Sequence, residues 1–187
     1  MNSCVLVRHG ETDLAGRFCG HSDPPLNDAG RRQIELAASM LFEIPEVIYT
    51  SDLRRARESA SLLASYFAVP VQVRYGLREI NFGEWEGLTW EEVEQRFPAD
   101  ANAWMELYPR GVIRSGELYE AFQKRVQRET AFLLAEAELR SIVAVTHGGF
   151  IKTALRELYG MSELAAHECS AQYACIVPLP TLAMEAQ

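Results

Sequence analysis

Cys4-Val5-Leu6-Val7-Arg8-His9-Gly10-Glu11-Thr12 opens on an apolar run and ends in a cation, an imidazole and a glycine. Cys4 to Val7 reads as a short buried strand. Arg8 and His9 are costly to bury without partners, so they belong at the open end of that strand. Gly10 permits a sharp turn or a close-approaching ligand. Taken alone, the stretch equally describes a strand leaving the core for a solvated loop. The pattern returns far down the chain, however, where Ile142-Val143-Ala144-Val145 runs into Thr146-His147-Gly148-Gly149.

Working outward, a polar loop covers Asp13 to Pro25. The spacing then predicts a helix over Asp28 to Phe42, capped by Asn27, with Ile34, Leu36, Ala37, Ala38 and Leu41 inward and Pro45 as its stop. Val47-Ile48-Tyr49 is a second strand. Ser51 or Asp52 caps a helix to Phe67, with Leu53, Ala56, Ala60, Leu63, Ala64 and Phe67 inward. Val69 to Val73 is a third strand, followed by Leu77-Arg78-Glu79. The texture changes from Ile80 to Gly116, a segment that holds all three tryptophans. Thr89 and Glu92 form a capping box for a short helix there, and a second short helix covers Ala101 to Leu107. This segment reads as a helical lid insertion at about 80–116, within one domain spanning 1–187. A long helix over Gly116 to Leu139 carries Leu118, Phe122, Val126 and Leu133 on one stripe. The fourth strand follows, then a helix from Gly148 to Leu158 ended by Gly160. Tyr173 to Val177 is a last strand, and Pro178 begins a tail.

Alternating strands and helices predict a three-layer α/β/α fold with a mostly parallel sheet. Ligands of such sheets bind outside the carboxyl ends of the strands. Here those ends carry Arg8-His9-Gly10, Ser51 through Arg55, Arg78-Glu79 and His147-Gly148-Gly149, so two histidines, several arginines and a carboxylate should share one rim.

The chain has 187 residues, enough for one sizeable core and short for two. Its formal net charge of −8 argues against general binding to nucleic acid or anionic membranes. No apolar run is long enough for a membrane span or a signal-peptide core. Cys4, Cys19, Cys169 and Cys175 show no metal-finger spacing. Cys4 and Cys175 fall in predicted strands, so reduced thiols and a cytoplasmic location are expected. His9, His21, His147 and His167 are too scattered for a local metal motif.

Two imidazoles and arginines on one rim suit a phosphate. Guanidinium matches phosphate oxygens bidentately, and a helix opening at Gly148-Gly149 adds backbone N–H groups. A neutral histidine can attack phosphorus, and a carboxylic acid can protonate the leaving oxygen.

The blocks Leu6 through Thr12, Gly16-Arg17-Phe18-Cys19-Gly20, Pro25-Leu26-Asn27, Tyr49 through Ala56, Leu77 through Gly87 and Val145 through Gly149 resemble, in order, those of the histidine phosphatase superfamily, the phosphoglycerate mutase-like proteins. The resemblance implies that His9 is a nucleophile forming phosphohistidine. It implies that Arg8 and Arg55 grip the phosphoryl oxygens and that His147 donates to them. Glu79 is then the proton donor to the leaving group and later the base for water. Thr12 and the backbone of Gly148 are further phosphate contacts. No metal and no cofactor are implied, and the substrate is a small phosphomonoester. The lid is of modest length, which favours a phosphatase over a cofactor-dependent phosphoglycerate mutase. The second and fifth blocks look most like α-ribazole phosphatases, which act in cobalamin nucleotide-loop assembly; broad-specificity phosphatases of the family look similar. Two departures stand out: Ala15 replaces an Asn that contacts phosphate in many members, and Gly116-Glu117-Leu118 replaces the usual Gly-Glu-Ser.

Plainer readings stand beside these. Arg54, Arg55 and Arg57 could form a solvated helix face, since consecutive helical residues point about 100° apart. Glu79 and Arg78 could be surface charges, and Gly148-Gly149 only a tight turn. His21 and His167 read as ordinary polar residues, and Trp85, Trp90 and Trp104 as lid packing. A non-catalytic phospholigand-binding protein is the competing reading of another class, although it would need neither nucleophile nor acid. Near its arginines Glu79 should be ionised until a phosphate dianion offsets them. His147 should be neutral until a phosphate is bound.

Overall fold

A computed structural model describes residues 2–179. Its sheet contains β1 (Cys4–Arg8), β2 (Val47–Thr50), β3 (Val71–Val73), β4 (Ile142–Thr146) and β5 (Ile176–Leu179), in the order β3-β2-β4-β1-β5. β1 through β4 are mutually parallel, and β5 closes one edge antiparallel to β1.

The period-2 alternation of the strands divides the core. Cys4, Leu6, Val47, Tyr49, Ile142 and Ala144 face one layer, packed on α5 (Tyr119–Ala137), α6 (Gly148–Tyr159) and α7 (Glu163–Ser170) through residues such as Phe122, Val126, Phe150, Ile151 and Ala166. Val7, Ile48, Val143 and Val145 face the other, packed on α1 (Asp28–Met40) and α2 (Arg54–Phe67) through Ile34, Ala38, Ala56, Ala60 and Leu63. Each such fully buried aliphatic side chain contributes roughly 1.5–3 kcal/mol, so the three-layer arrangement rests on both faces. The predicted three-layer, mostly parallel architecture is what forms.

A third cluster lies outside the layers. Trp85, Val93, Ala101 and Ile113 pack with Phe18, Phe82, Trp90 and Trp104 around α3 (Trp90–Arg96) and α4 (Pro98–Leu107). All three tryptophans are packing residues here, and the Thr89–Glu92 capping box forms as expected. Phe18 belongs to the loop after β1, so that loop and the segment 80–116 share one small core.

Several local expectations are corrected. Leu36 is exposed and α1 ends before Leu41. Neither Ser51 nor Asp52 caps α2: Leu53 occupies that position, and the Arg54 N–H is met by the Asp23 carboxylate from a distant loop. β3 is shorter than Val69 to Val73 and wholly exposed. α5 begins at Tyr119, leaving Leu118 as an exposed cap residue. α7, absent from the sequence reading, is capped by Ser162. The last strand is Ile176–Leu179 rather than Tyr173 to Val177, so Cys175 lies outside it and Pro178 within it. A proline fits there because β5 is an edge strand.

Candidate active site

The sheet register builds the site. Arg8 of β1 lies opposite Thr146 of β4, and the His9 N–H donates to the Thr146 carbonyl at 3.0 Å. His9 and His147 are therefore the first residues past two adjacent strand ends, with ring centroids 5.0 Å apart. The β2 end delivers Ser51 beside them, and Glu79 follows the turn after β3.

His9 is buried and its Nδ1 lies 2.7 Å from the Gly10 carbonyl. A carbonyl only accepts, so Nδ1 carries the proton and Nε2 the lone pair. The Arg55 Nε–H donates to that Nε2 at 3.2 Å. Burial, then the Arg55 and Arg8 charges, hold the His9 pKa well below the ordinary imidazole value despite the Gly10 bond. Its ring is neutral at neutral pH.

Arg55 is fully buried, whereas its neighbours Arg54 and Arg57 are exposed. Its Nη1 donates to the Ser22 carbonyl at 2.7 Å, and its Nη2 to the Cys19 and Gly20 carbonyls at 3.1 and 2.8 Å. Glu86 holds the same loop from the other side: its carboxylate accepts the N–H groups of Gly20, His21, Ser22 and Phe82 at 2.7–3.0 Å. Burial works against the Glu86 charge, but these N–H bonds outweigh it and lower its pKa.

Arg8 donates from Nη1 to the carbonyls of Ser170, at 3.1 Å, and Ala171, and its guanidinium lies 4.2 Å over the Tyr173 ring. A Cβ at position 148 would stand 3.2 Å from the Arg8 Cζ, so a glycine there leaves the guanidinium room. His147 is fully buried, and its Nε2 lies 3.0 Å from Ser51 Oγ. Ser51 Oγ accepts from the Leu53 N–H, which frees its own proton for His147 Nε2. Burial first, then Arg55, His9, Arg8 and Arg125, keep the His147 pKa well below the ordinary value. Two buried nitrogens of this cluster, Arg8 Nε and His147 Nδ1, have no hydrogen-bond partner. Buried polar atoms are seldom left unpaired, and an anion is the kind of partner to which a guanidinium Nε–H and an imidazole Nδ1–H would each donate.

Glu79 is buried against the N-terminus of α6. Its Oε2 accepts the Gly149 N–H at 2.8 Å and its Oε1 the Ile80 N–H at 3.0 Å. A cavity of about 250 Å³ is lined by Arg8, His9, Thr12, Glu79 and Gly148. Arg55 and His147 reach the cluster through His9 and Ser51 rather than through the cavity wall. The cavity also takes in Arg17, Phe18, Lys152, His167 and Tyr173, none of which sequence spacing singled out for the site. Tyr173 had a signal only in hindsight, because it lies in the short turn that leads into the edge strand beside β1. His21 lines no part of the cavity; its Nε2 meets the Glu79 carbonyl at 3.2 Å. Arg78 pairs with Asp52. Ala15 is exposed. Among the described residues no group of three or more His, Cys, Asp or Glu side chains is placed to hold a metal ion. No helix among them is long and apolar enough to cross a membrane.

Comparison with known proteins bears on this arrangement. The family model of the histidine phosphatase superfamily (branch 1) matches residues 4–182. The adenosylcobalamin/alpha-ribazole phosphatase of Escherichia coli strain K12 is 31% identical over 159 residues, covering 83% of this chain and 78% of that protein. The glucosyl-3-phosphoglycerate phosphatase of Mycolicibacterium vanbaalenii is 33% identical over 167 residues, covering 84% and 74% respectively. The crystal structure of the alpha-ribazole phosphatase from Shigella flexneri matches with a TM-score of 0.84 at 27% identity, over 95% of this chain and 90% of that one.

Proposed function

The chain belongs to branch 1 of the histidine phosphatase superfamily, and from that premise we propose that it hydrolyses phosphomonoesters through a phosphohistidine on His9. The observation that carries this reading is the state of His9: a neutral ring with its proton committed to Gly10 and its Nε2 lone pair beside two guanidiniums. Nε2 attacks phosphorus in line, and the bond to the leaving oxygen breaks as Glu79 supplies a proton to that oxygen. Arg8, Arg55 and His147 stabilise the charge on the equatorial oxygens, with Thr12 and the Gly148 backbone as further contacts. Glu79 then takes a proton from water, which attacks the phosphohistidine and releases inorganic phosphate with His9 restored.

The proposed substrate is α-ribazole 5′-phosphate, a reading supported by the relatives in Escherichia coli and Shigella flexneri. A glucosyl-3-phosphoglycerate-type substrate is the second reading, favoured by the mycobacterial relative. The four cysteines are free, which suits work in a reducing cytoplasm.

The first test is p-nitrophenyl phosphate turnover with and without a chelator. The wild type releases phosphate in both, the His9→Ala variant in neither, and rapid quenching traps an acid-labile phosphoryl label on the wild type only. Isomerisation of 3-phosphoglycerate with little free phosphate, or full turnover by Glu79→Gln, would overturn the reading.

A further inference from the structure

Glu79 stands on backbone with little regular structure of its own. β3 ends at Val73, one short helical turn covers Tyr75–Leu77, and residues 78–82 belong to no helix or strand. The carbonyls of Gly76, Leu77, Arg78 and Glu79 nevertheless all have partners, and those partners are side chains. Arg125 of α5 meets three of them: its Nη1 donates to Gly76 at 2.9 Å and to Arg78 at 2.7 Å, and its Nη2 to Glu79 at 3.2 Å. Thr146 Oγ1 donates to the Leu77 carbonyl at 2.7 Å. A rigid planar fork of donors suits several carbonyls at once, as a flexible ammonium does not.

Glu117 fixes the guanidinium itself. Arg125 Nε donates to Glu117 Oε1 at 3.1 Å and Nη2 to Oε2 at 2.6 Å, a two-point pairing between side chains that are both largely buried. The pairing also neutralises Arg125, so it grips the backbone without bringing a net positive charge beneath the carboxylate. Glu117 is fastened in turn to Asn81, two residues past Glu79. Its N–H donates to the Asn81 carbonyl at 2.9 Å, and its Oε2 accepts the Asn81 N–H at 3.4 Å. The chain is thus held on both sides of Glu79. The Glu79 carboxylate has only the Ile80 and Gly149 N–H groups to steady it, and the first belongs to its own neighbour. Its aim therefore follows the path of residues 76–81. Arg125 does not line the cavity at His9, so its route to the chemistry runs through Glu79.

We propose, resting on the phosphatase reading above, that Arg125, held by Glu117, is a positioning residue that aims the Glu79 carboxyl at the leaving oxygen. An acid serves only within hydrogen-bond reach of the oxygen it protonates. Losing the fork releases three carbonyls together, and a displacement of about 1 Å at the carboxyl is worth about 100-fold in rate. The loss falls on the step that needs the proton, while His9, Arg8 and Arg55 keep their places.

The test compares phenyl phosphate with p-nitrophenyl phosphate, which are similar in shape but differ in the basicity of the leaving oxygen. Phenolate is the more basic and depends more on an acid. The readout is kcat/KM, which reports the step in which the leaving group departs. Arg125→Lys keeps a cation opposite Glu117 but loses the fork, and Arg125→Gln loses both. Each lowers kcat/KM for phenyl phosphate by about 30- to 100-fold and for p-nitrophenyl phosphate by no more than about fivefold, with circular dichroism confirming the fold. In a Glu79→Gln background, Arg125→Lys lowers phenyl phosphate turnover by less than about a further twofold, because the group it aims is gone. Should Arg125→Gln fail to fold, the lysine variant decides alone. Equal losses on the two substrates, or losses that add in full to those of Glu79→Gln, overturn the assignment and leave Arg125 a packing residue, with the phosphatase reading intact. A Glu79→Gln variant that keeps the wild-type ratio between the two substrates removes the acid role from Glu79 and overturns both.

Discussion

His9 and Arg55 are tied to each other before any ligand arrives. The Arg55 Nε–H sits on the lone pair that the proposed attack requires, while its two Nη groups hold loop carbonyls. Lysine offers no such fork, so Arg55→Lys should lower p-nitrophenyl phosphate turnover by about 100-fold or more and also lower the melting temperature. Steady-state kinetics and thermal unfolding check both halves. The two buried histidines add a pH signature. Each has a folded pKa below its unfolded value of about 6.5. The unfolded chain then binds protons that the folded one refuses, so stability present above that pH is lost as pH falls below it. Thermal midpoints of the unliganded protein should drop between about pH 6.5 and pH 5, and His147→Gln should flatten that drop. A midpoint constant over that window would contradict the buried neutral pair. His9 and His147 were legible because polar groups ending apolar strands are conspicuous. Helical spacing could not choose Arg55 among Arg54, Arg55 and Arg57; the family pattern at Ala56 did. Arg17 and Lys152 were illegible, since charged residues in a loop and on a helix look alike whether or not they line a cavity.

At the scale of the element, α6 positions the carboxylate. Its first turn presents the Gly149 N–H to Glu79 Oε2, and a Cβ at that position would stand 2.2 Å from Glu79 Oε1. Gly149→Ala should therefore displace Glu79 and cost about 100-fold in kcat, with a smaller change in KM. The loss should be greater for glycerol 3-phosphate than for p-nitrophenyl phosphate, whose leaving oxygen needs less help from an acid. Equal losses on the two substrates would argue for a merely structural glycine. The helix itself was readable from its apolar stripe and from Gly160, which adopts the left-handed conformation at its end. α7 and β5 were not. α7 has only Ala166 and Ser170 buried, too little for a periodic signal. The register of β5 is set by pairing with β1 across more than 160 residues of chain, with Leu6 opposite Val177. Local sequence holds no trace of such a partner.

At the scale of the whole molecule, the loop 19–22 joins the sheet to the lid. Arg55 holds its carbonyls and Glu86 holds its N–H groups. Removing the Glu86 charge weakens four bonds at once, so Glu86→Gln should cost at least about 2 kcal/mol by denaturant unfolding. Activity should fall further than stability alone explains, because Arg55 loses the scaffold that aims it at His9. Trp85→Ala, at the centre of the lid cluster, should cost about 3–5 kcal/mol through its cavity. The architecture of the sheet was legible from strand and helix alternation, and the tryptophans marked 80–116 as a segment with packing of its own. Their mutual attachment was not, since Glu86 gives no sequence sign of which backbone it serves.

That attachment limits how this protein can be rebuilt. A lid borrowed from a relative brings its own substrate walls, but it also replaces the carboxylate that keeps Arg55 aimed. Swapping 80–116 for a foreign segment without a counterpart to Glu86 would exchange new walls for a misaligned Arg55–His9 contact. The tractable route to a new substrate is through individual wall residues, with the clamp at 19–22 left untouched.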